Sequence, residues 1–452
     1  MQRANQKLIE EAPAPNLRPE TRAALHDHAL RLSRAINYDN LGTVEFLVDA
    51  VTEDVFFLEM NTRLQVEHPV TEAVTGLDLV EWQIRIAAGE TLPLRQDQIA
   101  CSGHAIEARL TAERADEGFR PDTSRIVLWS EPACLRVDSG VETGSIVSMH
   151  YDSLLAKVIA HAADRAEAVR RLGEGLGRMV VLGPRTIRPF LIDALRQPAF
   201  VEGRATTLLL KESWPEGWQS GQEAQSDLRA VAAALWLAAG DAGGKPLAGA
   251  GPWRSLPGFR LLAPAGRPAT THLSVAIGDD PVPLRVETHH GFTRVEGPDG
   301  ISDIVLRPPE NGTNWRVMQG GISTTAHGLR MPGGLLLRYR DFEGFIRIAL
   351  AIEAEAAERT AGGDGGGTLR AAMPGTVAAI HVGEGDEVTA GQVLVVLESM
   401  KLFIELKSPI DGIVCRAALK TGVTVAAGDI LVTIKPRGDQ TAQPTDQRRP
   451  AR

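Results

Sequence analysis

Near its C-terminus the chain repeats itself. A shift of 37 positions lays Gly375 on Gly412, Val377 on Val414, Gly385 on Gly422 and Val388 on Val425. The same shift pairs Ala390 with Ala427, Gly391 with Gly428, Leu394 with Leu431 and Val395 with Val432, eight identities in a 21-position window. Self-similarity at a fixed period means one supersecondary unit used twice. Each copy reads strand, glycine turn, strand, Ala-Gly turn, strand, with glycine supplying the positive φ of tight turns. A flattened two-fold β-sandwich is expected, with Val377, Val388, Leu394, Val414, Val425 and Leu431 as its core. Between the copies stands Glu398-Ser399-Met400-Lys401. Such a sandwich puts Lys401 at a hairpin tip, where an amine can enter another active site. The bland alternative is a solvated surface lysine. That alternative does not explain Met400 and Leu402, two apolar neighbours at an exposed turn.

The rest of the chain is ordinary in composition. Its 452 residues suggest three or four domains of ~100–200 residues each. Apolar residues make up 43% and charged residues 23%, enough to bury real cores. The net charge of −9 argues against a nucleic-acid clamp held through phosphates. Cys101, Cys134 and Cys415 are far apart and form no metal pair or disulfide framework, so a reducing, cytoplasmic setting is expected. The apolar run at residues 230–239 is about half the ~20 residues of a membrane span, so no membrane partner is expected. Residues 1–15 carry Arg3, Lys7, Glu10 and Glu11 and lack the apolar run of a signal peptide.

Texture divides the chain. Residues 1–210 mix helical periodicity, at 23–36 and 166–179, with short runs at 44–48 and 55–58 that read as buried strands. A helix over 228–239 precedes a β-rich stretch, 260–350, whose even strands and turns suggest an antiparallel barrel or sandwich. Residues 361–367 read Ala-Gly-Gly-Asp-Gly-Gly-Gly, a linker composition, and the polar tail after Lys435 reads as disordered.

Glu45 and Glu59 both sit in apolar runs, where a lone carboxylate costs several kcal/mol, about 3 or more, unless neutralised or bound to a cation. Two carboxylates on neighbouring strands plus the Asn61 amide make a hard, oxygen-rich site suited to a divalent metal that bridges nucleotide phosphates. Surface acids on an edge strand are the equal alternative on these residues alone.

Two motifs then carry a resemblance. Residues 371–435, with Met373-Pro374-Gly375 and Met400-Lys401, resemble a biotin carboxyl carrier domain, although Ser399 and Leu402 depart from its usual Glu-Ala-Met-Lys-Met. A lipoyl domain shares that fold but lacks the methionine before the lysine. The run from Asn61 to Glu72 resembles the active-site segment of a biotin carboxylase, within an ATP-grasp domain. Together they identify the chain as similar to the alpha subunit of a biotin-dependent acyl-CoA carboxylase. The resemblance implies a multidomain α+β chain: 1–90 the C-terminal part of an ATP-grasp domain, 91–215 the biotin carboxylase C-terminal domain, 225–355 a barrel docking a carboxyltransferase beta subunit. It further implies a linker at 361–368, the carrier at 369–436 and a tail at 437–452.

It implies an ATP-dependent ligase, with biotin joined to Lys401 by biotin protein ligase and Mg²⁺ or Mn²⁺ at Glu45, Glu59 and Asn61. Lys7, with Glu45 and Glu59, would serve the nucleotide. Arg63, Gln65 and Val66 would bind bicarbonate, Glu67 would deprotonate it, and Arg109 would stabilise the biotin enolate. The acyl-CoA would be chosen by the beta subunit of a hetero-oligomer. Residues 252–260 lean toward the 3-methylcrotonyl or geranyl type. The resemblance begins in mid-domain, so a carboxylase lacking its N-terminal half is expected to be inactive alone. The competing readings are a biotin carrier and scaffold without ATP chemistry, or a lipoyl carrier.

Overall fold

The computed structural model of the chain describes residues 1–3, 6–219, 225–239, 269–308, 313–354, 367–371, 374–399, 402–416, 420–426 and 428–436. Residues 361–366 of the expected linker, the tail, residues 252–260, Met373, Met400 and Lys401 lie outside the described residues, and the linker's expected end at 368 is corrected, because Thr368 already pairs with Thr433 in a strand.

A four-stranded antiparallel sheet organises the first part, in the order Arg136–Ser139, Leu154–Ala162, His104–Thr111, Ile9–Ala12. Its two central strands are buried along almost their whole length. The helix Arg165–Arg178 covers one face. Asp164 caps that helix by accepting from Glu167 N at 2.9 Å, and Ala168, Leu172 and Leu176 return every turn to the sheet. Gly175 sits on the same stripe because the Leu135 side chain would meet a Cβ there at 2.1 Å. The helix Arg188–Leu195 completes this core, its Phe190 edge-on to Phe119 and Trp218.

The strands Thr43–Val48 and Val55–Asn61 form a hairpin by themselves, as a two-stranded sheet. Both strands were expected to be buried, and this is corrected: Phe56 and Phe57 are each 58% exposed and Leu58 52%. The apolar run predicts a strand correctly, but no described element packs on its outer face.

Residues 269–350 close an eight-stranded antiparallel barrel in simple up-and-down order. The helix Gln225–Ala238 lies inside it and touches the barrel strands. This explains the apolar run at 230–239. Ala230 to Leu235 are buried on every side, and the alanines suit the narrow lumen of eight strands.

The carrier region is a pair of four-stranded sheets, one ordered Thr368–Arg370, Ile430–Pro436, Gly412–Arg416, Glu387–Val388, the other Leu402–Lys407, Val393–Ser399, Gly375–Ile380, Thr424–Val425. All six core residues expected from the repeat are buried, at 5% exposure or less. The turn glycines match across the repeat: φ is +94° at Gly385 and +83° at Gly422, +85° at Gly391 and +89° at Gly428. The repeats interlock. The short strand of each copy joins the other copy's sheet, Val388 facing Gly412 and Val425 facing Gly375, pairs related by the 37-residue shift.

Candidate functional site

Antiparallel register brings the first acids together. Glu45 pairs directly with Glu59, and Asn61, two residues on, shares the Glu59 face. A bulge follows Glu45, between it and Phe46. Like charges in paired positions repel, and what offsets them arrives from the short strand Gln6–Lys7, which pairs with Gln2–Arg3: Lys7 Nζ lies 2.6 Å from Glu45 Oε1. Gln65 also donates to Glu45. Burial alone would raise the Glu45 carboxyl, but the hydrogen bonds from Lys7 and Gln65 and the charges of Lys7 and Arg63 hold it below the usual carboxylate range. Glu59 is exposed, so the burial cost that motivated a cation there applies to Glu45 and not to Glu59.

Glu67 ends the turn that follows the hairpin and stands at the N-terminus of the helix His68–Thr75, which Pro69 starts. Its two oxygens face two cations. Lys7 Nζ is 2.6 Å from Oε1, and Arg109 Nη2 donates to Oε2 at 2.8 Å. Lys7 is thus shared: partial burial lowers its ammonium pKa, yet Glu45 and Glu67 outweigh that and raise it. Arg109 comes from the central strand His104–Thr111 and gives its Nε to Glu10 at 2.6 Å. Burial raises the Glu10 carboxyl despite this bond. Glu72, the last residue of the motif, is 7% exposed and anchors the helix by accepting from Leu79 N and pairing with Arg136 at 2.9 Å.

Lys7, Glu45, Glu59, Asn61, Arg63, Gln65, Val66, Glu67 and Arg109 therefore line one cavity of about 490 Å³. Arg63 makes only side-chain bonds to Leu64 O and Asn61 Oδ1, at 3.1 and 3.4 Å, so its fork faces the cavity without a carboxylate partner among these contacts. Sequence reasoning missed two acids that shape this cluster. Glu10 and Glu107 occupy paired positions on neighbouring strands. Glu107 is wholly buried, and neither of its oxygens has a hydrogen-bond partner among the described residues. Burial and the Glu10 charge push it up to about 9, against Lys157 and Arg109. The signal was present: in a strand covered on both faces, His104-Ala-Ile-Glu-Ala-Arg has no solvent side for its acid.

Glu45, Glu59 and Asn61 suit a hard divalent cation. The two carboxylates converge, since Asn61 Nδ2 donates to an oxygen of each at 3.1 Å, and a cation in that place would be met by the amide oxygen once the side chain turns over from Arg63. No cluster of three His, Cys, Asp or Glu that would hold a metal occurs among the described residues, so two carboxylates and an amide are the set on offer.

In the carrier, Ser399 pairs with Leu402, so the strands run in register up to the two residues that separate them, Met400 and Lys401. Ser399 is 1% exposed and its Oγ has no partner among the described residues, while Phe403 is 67% exposed beside the turn. The three cysteines are free and exposed. Among the described residues no helix is long and apolar enough to cross a membrane.

Three family models match: the ATP-binding domain of the carbamoyl-phosphate synthase L chain over residues 1–95, the biotin carboxylase C-terminal domain over 107–212, and a biotin-requiring enzyme domain over 367–434. The chain is 32% identical to the propionyl-CoA carboxylase alpha chain of Ruegeria pomeroyi, over 96% of this chain and 66% of that one. It is 33% identical to the mitochondrial methylcrotonoyl-CoA carboxylase subunit alpha of Glycine max, over 96% and 64%. A solved biotin carboxylase domain of the Hydrogenobacter thermophilus 2-oxoglutarate carboxylase, in complex with MgADP and bicarbonate, is 40% identical over 48% of each chain, with a TM-score of 0.46. The chain spans between 58% and 66% of the length of such curated relatives.

Proposed function

We propose, from the premise that the chain belongs to the alpha chains of biotin-dependent acyl-CoA carboxylases, that it supplies the bicarbonate, metal and biotin-bearing parts of an enzyme that carboxylates biotin on Lys401. A separate carboxyltransferase beta subunit would then pass the carboxyl group to an acyl-CoA. The observation that supports this best is Glu67, gripped by Lys7 and Arg109 in a cavity shared with Glu45, Glu59, Asn61, Arg63, Gln65 and Val66.

Bicarbonate is a poor electrophile and is activated by phosphorylation with ATP. Arg63, with its fork free of carboxylates, and Gln65 and Val66 hold the planar anion, and Glu67 takes its proton. Lys7 faces the nucleotide phosphates. Arg109, beside Glu67, stabilises the biotin enolate as it accepts CO₂. Glu45, Glu59 and Asn61 would hold Mg²⁺ or Mn²⁺, which supplies neutralisation of the transferring phosphates. Biotin would be attached to Lys401 by a biotin protein ligase. We further propose the division 1–90, 91–215, 225–355, 361–368, 369–436 and 437–452, with the barrel as the docking surface for the beta subunit in a hetero-oligomer. A cytoplasmic, reducing setting suits the free cysteines. Alpha chains of propionyl- and methylcrotonoyl-CoA carboxylases match at 32–34% alike, so the acyl group is assigned to the class and not to one member.

A second reading, a biotin carrier and scaffold without ATP chemistry, is favoured by the exposed Phe56, Phe57 and Leu58 beside the metal-site hairpin. One experiment separates the two. The biotinylated chain is assayed for ADP release with and without bicarbonate, beside Glu67→Gln. Bicarbonate-dependent turnover that Glu67→Gln abolishes supports the carboxylase. Biotinylation without any such turnover leaves the carrier alone.

A further inference from the structure

Where the barrel meets the carboxylase sheet module, the charges do not balance. Arg188, 1% exposed, gives its Nε to Glu343 at 2.9 Å, and the same carboxylate accepts from Val181 N at 3.1 Å. Glu343 is thereby consumed. Arg338, 7% exposed, donates to Gly177 O, but its Nε, like Arg188 Nη2, has no hydrogen-bond partner among the described residues. Buried donors without acceptors are rare and costly, more so when charged. Burial and the neighbouring Arg188 charge push the Arg338 guanidinium down to about 10.

Both arginines line a cleft of about 290 Å³ between the two modules, together with Arg196, Arg340 and one acid, Asp341. Thr324 and Thr325 add hydroxyl groups to its barrel wall. Arg340 reaches it from a left-handed backbone position, φ +49°, which non-glycine residues adopt at a cost. The cleft shares no lining residue with the carboxylase cavity. Four guanidinium groups line this one concave surface, with Arg196 and Arg340 reachable from solvent, and such a set of planar donors recognises tetrahedral oxyanions.

We propose that this cleft binds a phosphate-type oxyanion, either free phosphate or a phosphoryl group carried on a larger molecule. Bound there, the anion touches the helix Arg188–Leu195 on one side and the strand Gly334–Tyr339 on the other, so it clamps the barrel to the sheet module.

The test is a titration of the full chain with inorganic phosphate and, separately, with ribose 5-phosphate, against chloride at matched ionic strength. Calorimetry and thermal unfolding serve as readouts. A saturable heat and a rise in melting temperature are expected, with Kd raised about ten-fold in Arg340→Gln and in Arg338→Gln. Arg340 is partly exposed, so its variant reads binding even if the buried Arg338 variant folds poorly. Arg63→Gln, in the carboxylase cavity, leaves this binding unchanged. Saturation by ribose 5-phosphate alone assigns the carried phosphoryl group, and saturation by phosphate assigns the free ion. The proposal is overturned if neither probe saturates above the chloride control, or if binding survives Arg340→Gln and is lost in Arg63→Gln.

Discussion

The carrier sandwich and the carboxylate cluster are built on opposite plans. The sandwich draws its core from apolar side chains within one stretch, 367–436, and each contact on one side has a repeat-related counterpart on the other. The cluster takes Lys7, Glu45, Glu67 and Arg109 from segments with no repeat between them, and charge holds it together. One region tolerates water nowhere in its core. The other needs each charge to be answered by another, because a buried ion left alone is costly.

The largest expected effect lies at the tip of the sandwich. Lys401→Arg should remove all biotin, read as complete loss of streptavidin recognition, while the melting temperature stays as it was. Residual labelling of that variant would refute the carrier reading outright. Next comes the cluster. Arg109→Gln takes the cation from Glu10 and one of two from Glu67 and should cost roughly 4 kcal/mol in urea unfolding of the sheet module, with biotinylation intact. If the loss is under about 1 kcal/mol, the value of an exposed pair, the cluster is not held together by its charges. Leu394→Ala, wholly buried in the carrier, should cost about 3 kcal/mol and shift only the carrier's transition. A shift shared by both transitions would erase the contrast between the regions.

The smallest effect has the opposite sign. Glu107 keeps its proton in the fold up to about 9, whereas in the unfolded chain it ionises near 4.5. Between those values folding requires proton uptake, so its contribution worsens as pH rises. Glu107→Gln should therefore match the parent near pH 4 and be the more stable of the two near pH 8. Equal stability at both pH values would show that Glu107 is charged and answered in the fold.

Sequence reading reached these regions unequally. The repeat announced the sandwich, its core and its turns, because period and glycine placement are local properties. Glu45 and Glu59 stood out by their apolar runs and Glu67 and Arg109 through motif resemblance, and the fold then brought them into one cavity. Glu10 and Glu107 escaped notice because their pairing depends on which strand lies beside His104–Thr111. Burial of the 44–48 and 55–58 runs was misjudged because apolar composition does not say which face finds a neighbour. The helix Gln225–Ala238 was read as a helix, yet its place inside the barrel followed only from closure of eight strands. Arg188 and Glu343 are 155 residues apart, and nothing local links them.

The exchange of short strands between the two carrier repeats has a consequence for ancestry. Neither repeat can complete its own sheet, since each relies on the other's Glu387–Val388 or Thr424–Val425. A single copy made as a separate peptide would expose open strand edges that fit only another copy of itself. Two such peptides would rebuild the sandwich as a symmetric homodimer. Duplication and fusion of one half-sized gene is the simplest history for this geometry.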